Sequence, residues 1–278
     1  FKKFSIGLSW LWLGAFALIP LILVTLASLL NHTPQHLLLF PLTLENYHTL
    51  FHIVYLNVFL RSLRFALLTT FICLIIAYPF AYLVATKINT RYRSLLMLLV
   101  IIPFWTSSLL RSYALMIMLS ARGLLNVILL KFGIIQAPLP VLYTNLAVYI
   151  GLCYNLLPFM ILPLYTQLEK FDWQLIEAAR DLGASNFMIF RRIIWPLSLP
   201  GVYAGAILVC LPAMTLFYIP DLLGGSKSLL LGNLIQMQFI ESHNWPQGAA
   251  TSLILTVSIL LLLAIIKFSR GKKSGTFL

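Results

Sequence analysis

The side chains that most often perform covalent chemistry are scarce in this chain. Its 278 residues include five histidines, three cysteines and seven aspartates and glutamates. Cys73, Cys153 and Cys210 all lie inside apolar runs, which fits neither a disulfide framework nor the spacing of metal ligands. We interpret them as small buried apolar residues. The sequence therefore predicts no catalytic residue and no metal site.

A few polar and aromatic residues in the apolar runs could contact a solute instead. Arg111 lies deep in such a run and needs either a partner or a watery cavity. Asp221, which follows Pro220, could pair with Arg111 or could face a cationic solute. Trp105 and Tyr218 could offer ring faces to a cation, although single aromatic residues in such runs more often pack or anchor a helix. These four residues are the predicted solute-contacting set.

The elements that hold these residues are predicted to be membrane-spanning helices. The chain is 61% hydrophobic and 9% charged, with a mean hydropathy of +0.96. A helix needs about 20 apolar residues to cross a bilayer. Runs such as 253–266 are apolar on every side, which excludes a transmembrane β-barrel. Six segments qualify as spans within one all-α transmembrane domain over 1–278: roughly 8–30, 62–86, 95–119, 142–166, 199–221 and 248–268.

The positive charge is distributed unevenly between the loops. Thirteen of the 19 Lys and Arg residues fall before span one, between spans two and three, between spans four and five, or after span six, against three in the opposite loops. The positive-inside rule then places both termini in the cytoplasm. The net charge of +12 therefore reflects topology and does not indicate nucleic-acid binding. Since the first apolar run reaches Leu30 without a clear cleavage site, we expect an uncleaved span and not a signal peptide.

Prolines cluster in spans three to five. Each removes a backbone donor, so the clustering predicts kinked or broken helices, which are typical of transporters. Packing kinks with no transport role are the alternative.

The outer loop after span five, 222–247, is mostly apolar but too short for another span, and we expect a helix that dips partly into the membrane.

The loop over 167–198 is the most informative stretch. Asp172 can cap a short helix, and Gly183 can end it in the left-handed conformation. Ser185 can cap a second helix, which we expect Pro196 to end. An apolar face of the first helix comprises Leu175, Ala178, Ala179 and Leu182. The residues alone leave two alternatives open: docking against another protein, or lying on the membrane surface.

The spacing in this loop resembles a known family pattern. Glu177-Ala178-Ala179, Gly183 and Ile193-Ile194-Trp195-Pro196 match the E-A-A-x3-G-x9-I-x-L-P loop of ABC-importer permeases, with Trp195 in place of the usual Leu. By this resemblance the loop is a coupling helix that docks into an ATPase subunit. The residues that would carry this role are Glu177, Ala178, Ala179, Asp181, Gly183, Ile193 and Pro196.

The resemblance extends over most of the chain, from about 42 to 266. Motifs such as Tyr78-Pro79-Phe80-Ala81-Tyr82 and Asp221-Leu222-Leu223-Gly224-Gly225 are similar to those of the spermidine/putrescine permeases of ABC importers. This implies the type I importer permease fold in a bacterial inner membrane. It also implies a sister permease, an ATPase dimer that binds ATP and Mg, and a periplasmic polyamine-binding protein.

The expected function is therefore a non-catalytic permease subunit that forms half of a translocation path. The sequence contains no G-x-x-x-x-G-K-[ST] phosphate loop, so ATP must be handled by another chain. A permease for another small solute and a stand-alone secondary carrier are the alternatives. An intramembrane protease is disfavoured because all five histidines lie outside the spans.

Overall fold

The computed structural model describes residues 2–33, 36–39, 42–225 and 228–274. Long helices dominate it, and six helical segments in this part of the chain are long and apolar enough to cross a membrane: Ser9–Ser28, Ile53–Thr86, Ser108–Lys131, Asn145–Glu169, Asn186–Thr215 and Trp245–Ala264. The apolar composition explains these elements directly, because a helix satisfies all its backbone groups internally where lipid offers no partner.

The chain divides into two compact units, Phe1–Leu60 with Leu230–Leu278, and Arg61–Leu229. The elements of the first unit are α1 (Lys2–Ser28), β1 (Asn31–Thr33), β2 (His36–Leu39), α2 (Glu45–Leu50), the start of α3 (Ile53–Lys87), α11 (Leu231–Gln236), a π-helical turn (Met237–Glu241) and α12 (Trp245–Ser274). The elements of the second unit are the rest of α3, α4 (Thr90–Ile101), α5 (Ser108–Leu119), α6 (Leu124–Lys131), α7 (Asn145–Glu169), α8 (Gln174–Asp181), α9 (Asn186–Ile189) and α10 (Trp195–Thr215).

In the first unit, α12 packs against α1 and α2. The β1 and β2 strands form a short antiparallel hairpin with Asn31 opposite Leu39. Hydrogen bonds fix the start of α2 to the end of α1: the Asn46 amide donates to the Ser28 and Leu30 carbonyls at 3.0 and 2.8 Å. The loop over 222–247, expected to hold one dipping helix, contains α11 followed by a π-helical turn over Met237–Glu241.

The span expected over 95–119 is not one continuous helix. Helix α4 ends at Ile101, a 3-10 turn covers Ile102–Trp105, and α5 begins at Ser108. Pro103 lacks a backbone donor, and Thr106 takes an extended conformation with ψ of 147°. The apolar segment that is long enough to cross the membrane therefore runs through α5 and α6, over Ser108–Lys131.

The breaks expected at the other prolines are mostly not formed. Helix α7 continues through Pro158 and Pro163, and α10 continues through Pro200 and Pro212. A proline's fixed φ is compatible with a helix, and membrane helices tolerate the lost backbone bond.

Helices α7 and α10 approach each other closely in the second unit. Their contact buries large side chains of both helices, including Met160, Leu164 and Val209. A Cβ atom at Gly205 would lie 2.6 Å from the Met160 sulfur and 3.2 Å from its carbonyl oxygen, and one at Gly201 would lie 2.9 Å from the Pro163 carbonyl oxygen. Only glycine fits these positions without moving a backbone, which is typical of interfaces between membrane helices.

We therefore predict that Gly205→Leu destabilises the second unit, because the added side chain must push α7 away from α10. Overpacking of this kind costs about 1–3 kcal/mol of unfolding free energy. Thermal unfolding of the purified chain in detergent measures the loss. The matched control is Gly14→Leu in α1, where a Cβ atom would meet nothing within 4 Å. Equal unfolding midpoints for the two variants would contradict the close contact.

Candidate functional site

The first half of the loop that joins α7 to α10 is the short helix α8. The Asp172 carboxylate accepts the Gln174 N–H at 3.0 Å, just before the helix begins. At its end, Gly183 has φ of +79°. The N–H groups of Gly183 and Ala184 donate to the carbonyls of Arg180 and Ala179 at 2.8 and 3.0 Å. This is a Schellman ending, and it confirms the prediction that Gly183 ends the helix in the left-handed conformation.

The apolar face predicted on α8 is left largely uncovered by this chain. Leu182 is 88% exposed and Leu175 is 47% exposed. Glu177, Ala178 and Asp181 are exposed as well, and Ala179 is half-buried. Ile176, on the other side of the helix, is buried. An exposed apolar face beside exposed acidic residues is typical of a surface that contacts another molecule.

The second half of the loop begins as predicted but ends differently. Ser185 caps α9, because its hydroxyl accepts the Met188 N–H at 3.3 Å. The prediction that Pro196 ends this helix is wrong. A π-helical turn over Phe190–Ile194 leads directly into α10, and Pro196 lies in the first turn of α10. A proline is tolerated in a first helical turn, where its missing N–H costs least.

An aromatic cluster holds this loop against α3. We define the aromatic anchor as Tyr78, Phe190 and Trp195. The ring centroid of Tyr78 lies 5.8 Å from that of Phe190 and 5.5 Å from that of Trp195. Tyr78 also shares a 3.0 Å hydrogen bond with Ser198 in α10. Because the Ser198 hydroxyl donates to the Trp195 carbonyl, the Tyr78 hydroxyl is the donor.

The aromatic anchor accounts for the departure at Trp195 from the family pattern. The Trp195 ring contacts both Phe190 and Tyr78, and a smaller leucine side chain would not make both contacts. Sequence reasoning missed this cluster, because Tyr78 and Trp195 lie more than 100 positions apart and neither belongs to a shared periodic pattern. The Trp at the usual Leu position was the available signal.

A second candidate site is a cavity of about 460 Å³ within the second unit. Its walls come from the segment before α5 and from α5, α7 and α10, with Tyr218 beyond the end of α10. Arg111 in α5 lines this cavity with only 9% of its surface exposed. The guanidinium carbon lies 5.3 Å from the Phe104 ring centroid and 5.9 Å from that of Tyr154.

The structure brings together only part of the predicted solute-contacting set. Tyr218 lines the same cavity as Arg111, and its hydroxyl donates to Ser108 Oγ at 2.9 Å. Trp105 is 80% exposed and lies outside this cavity. Asp221 is exposed in the π-helical turn Pro220–Gly224, and it is not among the cavity residues either. In the described part of the chain, the Arg111 guanidinium contacts the rings of Phe104 and Tyr154, and its pairing with Asp221 stays one of the two predicted alternatives.

No group of three or more His, Cys, Asp or Glu side chains in the described ranges could hold a metal ion.

The six apolar helices and the exposed loop between α7 and α10 define a multi-pass membrane protein with the ABC type I permease fold. A subunit of a bacterial alginate ABC transporter, solved in complex with an alginate-bound periplasmic protein, superposes with a TM-score of 0.77 at 15% identity. The match covers 95% of this chain and 91% of that chain. The chain belongs to the family of binding-protein-dependent transport system inner membrane components, whose model matches residues 77–271.

Two relatives are considerably more similar in sequence. The spermidine/putrescine transport system permease protein PotB of Haemophilus influenzae is 49% identical over 265 residues, which cover 95% of this chain and 92% of the relative. PotB of Escherichia coli K12 is 48% identical over 254 residues, which cover 91% of this chain and 92% of the relative. Both relatives are transport permeases.

We predict that Trp195→Leu loosens the loop, because leucine cannot keep both ring contacts of the aromatic anchor. Such ring pairs contribute about 0.5–1.5 kcal/mol beyond their buried area. Thermal unfolding in detergent should show a lower midpoint for this variant. Trp10→Leu is the matched control, since Trp10 lies in α1 and is exposed. An unchanged midpoint for Trp195→Leu would show that the anchor does not stabilise the loop.

Proposed function

We propose that this chain is a permease subunit of an ATP-driven polyamine importer in a bacterial inner membrane, with spermidine and putrescine as substrates. The observation that carries the proposal is the 48–49% identity, over more than nine-tenths of both chains, to two permeases named for spermidine/putrescine transport. By the distribution of Lys and Arg, both termini and the loop between α7 and α10 face the cytoplasm.

The proposal includes three kinds of partner. A sister permease of the PotC type completes the path, an ATPase dimer of the PotA type binds ATP and Mg, and a periplasmic polyamine-binding protein of the PotD type delivers the solute. The uncovered face of α8 supports contact with the ATPase, since small and apolar side chains allow close approach. The contacting residues would be Glu177, Ala178, Ala179, Asp181, Gly183, Ile193 and Pro196. The permease itself catalyses no covalent step.

The mechanism in this proposal is a movement of α8 that shifts the spans between inward-open and outward-open states. ATP binding draws the two ATPase subunits together, and α8 moves with the subunit on which it docks. The aromatic anchor transmits this movement to α3, and the continuous backbone transmits it to α7 and α10. The solute and ATP shift the equilibrium only because each binds one state more tightly than the other.

The substrate path in this proposal has two parts on this chain. Arg111 and Tyr218 line one cavity, while Trp105 and Asp221 are exposed outside it. The aromatic rings of Trp105 and Tyr218 suit a primary ammonium group, and the Asp221 carboxylate supplies an opposite charge. The seven acidic residues of this chain are few for a polycation, so the sister permease is expected to contribute further acids.

Uptake measurements test the proposed substrate. Cells that lack their own polyamine permease are given this chain together with the sister permease, the ATPase and the binding protein from the same locus. We expect saturable, ATP-dependent uptake of labelled spermidine that is competed by putrescine. Full assembly without uptake of either polyamine would favour a permease for another small solute. Uptake by this chain alone would favour a stand-alone carrier.

We further predict that Gly183→Leu uncouples the transporter. A Cβ atom at Gly183 would meet nothing within 4 Å, so the variant acts through backbone strain at φ of +79° alone. Left-handed strain costs about 1–2 kcal/mol. When this cost falls on the docking of α8, the equilibrium constant for docking drops by about tenfold, and spermidine uptake falls with it. Membrane insertion should stay normal. Gly183→Asn is the matched control and should keep most of the uptake, because asparagine tolerates this conformation. Normal uptake by Gly183→Leu would remove Gly183 from the coupling role.

A further inference from the structure

The Arg111 cavity contains a buried positive charge whose hydrogen-bonding capacity is largely unused. Two of the three guanidinium nitrogens, Nε and Nη1, are buried without a hydrogen-bond partner among the described residues. The rings of Phe104 and Tyr154 contact the guanidinium. Such rings attract the charge but do not accept the N–H groups as a carboxylate or carbonyl oxygen does. A buried charge without such an acceptor destabilises the protein, so we expect an acceptor to bind at this site.

Other polar groups line the cavity as well: hydroxyl groups and a helix N-terminus, which can donate to an anion, and Asn155 Oδ1, a buried acceptor without a hydrogen-bond partner among the described residues. The cavity is lined by Thr106, Ser107 and Ser108, at the N-terminal end of the 12-residue helix α5. Ser107 is the N-cap residue but makes no side-chain capping bond. The first N–H groups of a helix lack partners within the helix and carry a partial positive charge, which attracts an anion.

The walls of the cavity select a singly charged anion. Apolar residues such as Leu156, Phe159 and Leu216 make up much of the lining. A dianion such as phosphate would leave a second charge without compensation in these surroundings, whereas a carboxylate matches the single charge of Arg111. The planar guanidinium also fits the two oxygens of a carboxylate.

The carboxylate does not come from this chain in the described structure. The seven acidic residues are Glu45, Glu169, Asp172, Glu177, Asp181, Asp221 and Glu241, and none of them lines the cavity.

We infer that the Arg111 cavity is a carboxylate-binding site, and that the sister permease fills it with an Asp or Glu side chain. This inference rests on the proposed function for the existence of that subunit. It follows that Arg111 is neutralised in the assembled transporter, so that its charge no longer repels a passing polycation. Arg111 then lies along the proposed path as a contact between subunits, and it does not bind the substrate itself.

Chemical modification of arginine tests this inference on the unaltered protein. Phenylglyoxal is added to this chain alone and to the assembled complex, both in detergent, and peptide mass spectrometry follows each arginine separately. A charge-assisted hydrogen bond should shield Arg111 in the complex, so that it reacts at least about tenfold more slowly than in the chain alone. Arg122, which is exposed and outside the cavity, is the internal control. Equal rates for Arg111 in both samples, whether fast or slow, would overturn the inference.

Two further arms identify the source of the carboxylate. Sodium acetate added to the chain alone should slow the reaction of Arg111, compared with sodium chloride at the same ionic strength. In the complex, replacing each membrane-embedded Asp or Glu of the sister permease by Asn or Gln should restore the reactivity of Arg111 for one variant. If no such variant restores it, or if acetate gives no protection, the carboxylate assignment is wrong.

Spermidine uptake by the same complex separates this result from the proposed function. If the complex takes up spermidine while Arg111 reacts equally fast in the complex and in the chain alone, the proposed function stands and the carboxylate site is wrong. If Arg111 is shielded in the complex but the complex takes up no polyamine, the carboxylate site stands and the proposed substrate is wrong.

Discussion

The close packing of α7 against α10 is the contact on which the rest of the second unit depends. Gly201 and Gly205 let the two backbones approach, and the loop that carries α8 and α9 begins at the end of one helix and ends at the start of the other. At the base of this loop, the Gln167 amide donates to the Leu197 carbonyl at 3.1 Å. The loop is therefore tied at both ends to one tightly packed helix pair, so that in the proposed mechanism a movement of α8 would act on both helices.

The aromatic anchor extends this connection to a third helix. Tyr78 sits beside Pro79 in α3 and contacts Phe190, the first residue of the π-helical turn, and Trp195, which directly follows the turn. A π-helical turn widens the helix locally and is often found at functional sites. Here it keeps the chain helical from α9 into α10 while it presents two rings to α3. The exposed face of α8 and the rings of Phe190 and Trp195 thus lie on the same segment, which leads from α7 into α10, and the two rings contact Tyr78 of α3.

Much of this architecture could be predicted from the sequence, because it depends on local patterns. The apolar runs indicated six spans, and the Gly183 and Ser185 helix signals needed only a few neighbouring residues. Expectations that depended on prolines were less reliable. Pro103 breaks its helix while Pro158 and Pro163 do not, and Pro196 begins a helix that it was expected to end. A proline restricts one φ angle and removes one donor, and the surrounding packing decides whether the chain bends there.

The solute-contacting set also shows that contacts between residues far apart in the sequence are hard to predict from the sequence. A pairing of Arg111 with Asp221 was one of two alternatives that their similar depth left open, and depth does not fix which face of a helix a side chain occupies. The structure places Arg111 between aromatic rings and against a cavity, and none of the acidic residues in the described ranges lines that cavity. Charges that interact in apolar surroundings are weakly screened, so an uncompensated arginine would oppose the passage of any polyamine nearby. In the inferred assembly, an acid of the second subunit neutralises this charge. Without this neighbour the lone subunit would be less stable, since an unpaired buried charge is destabilising. The same arginine would then both favour assembly of the two permeases and leave the finished path open to cations.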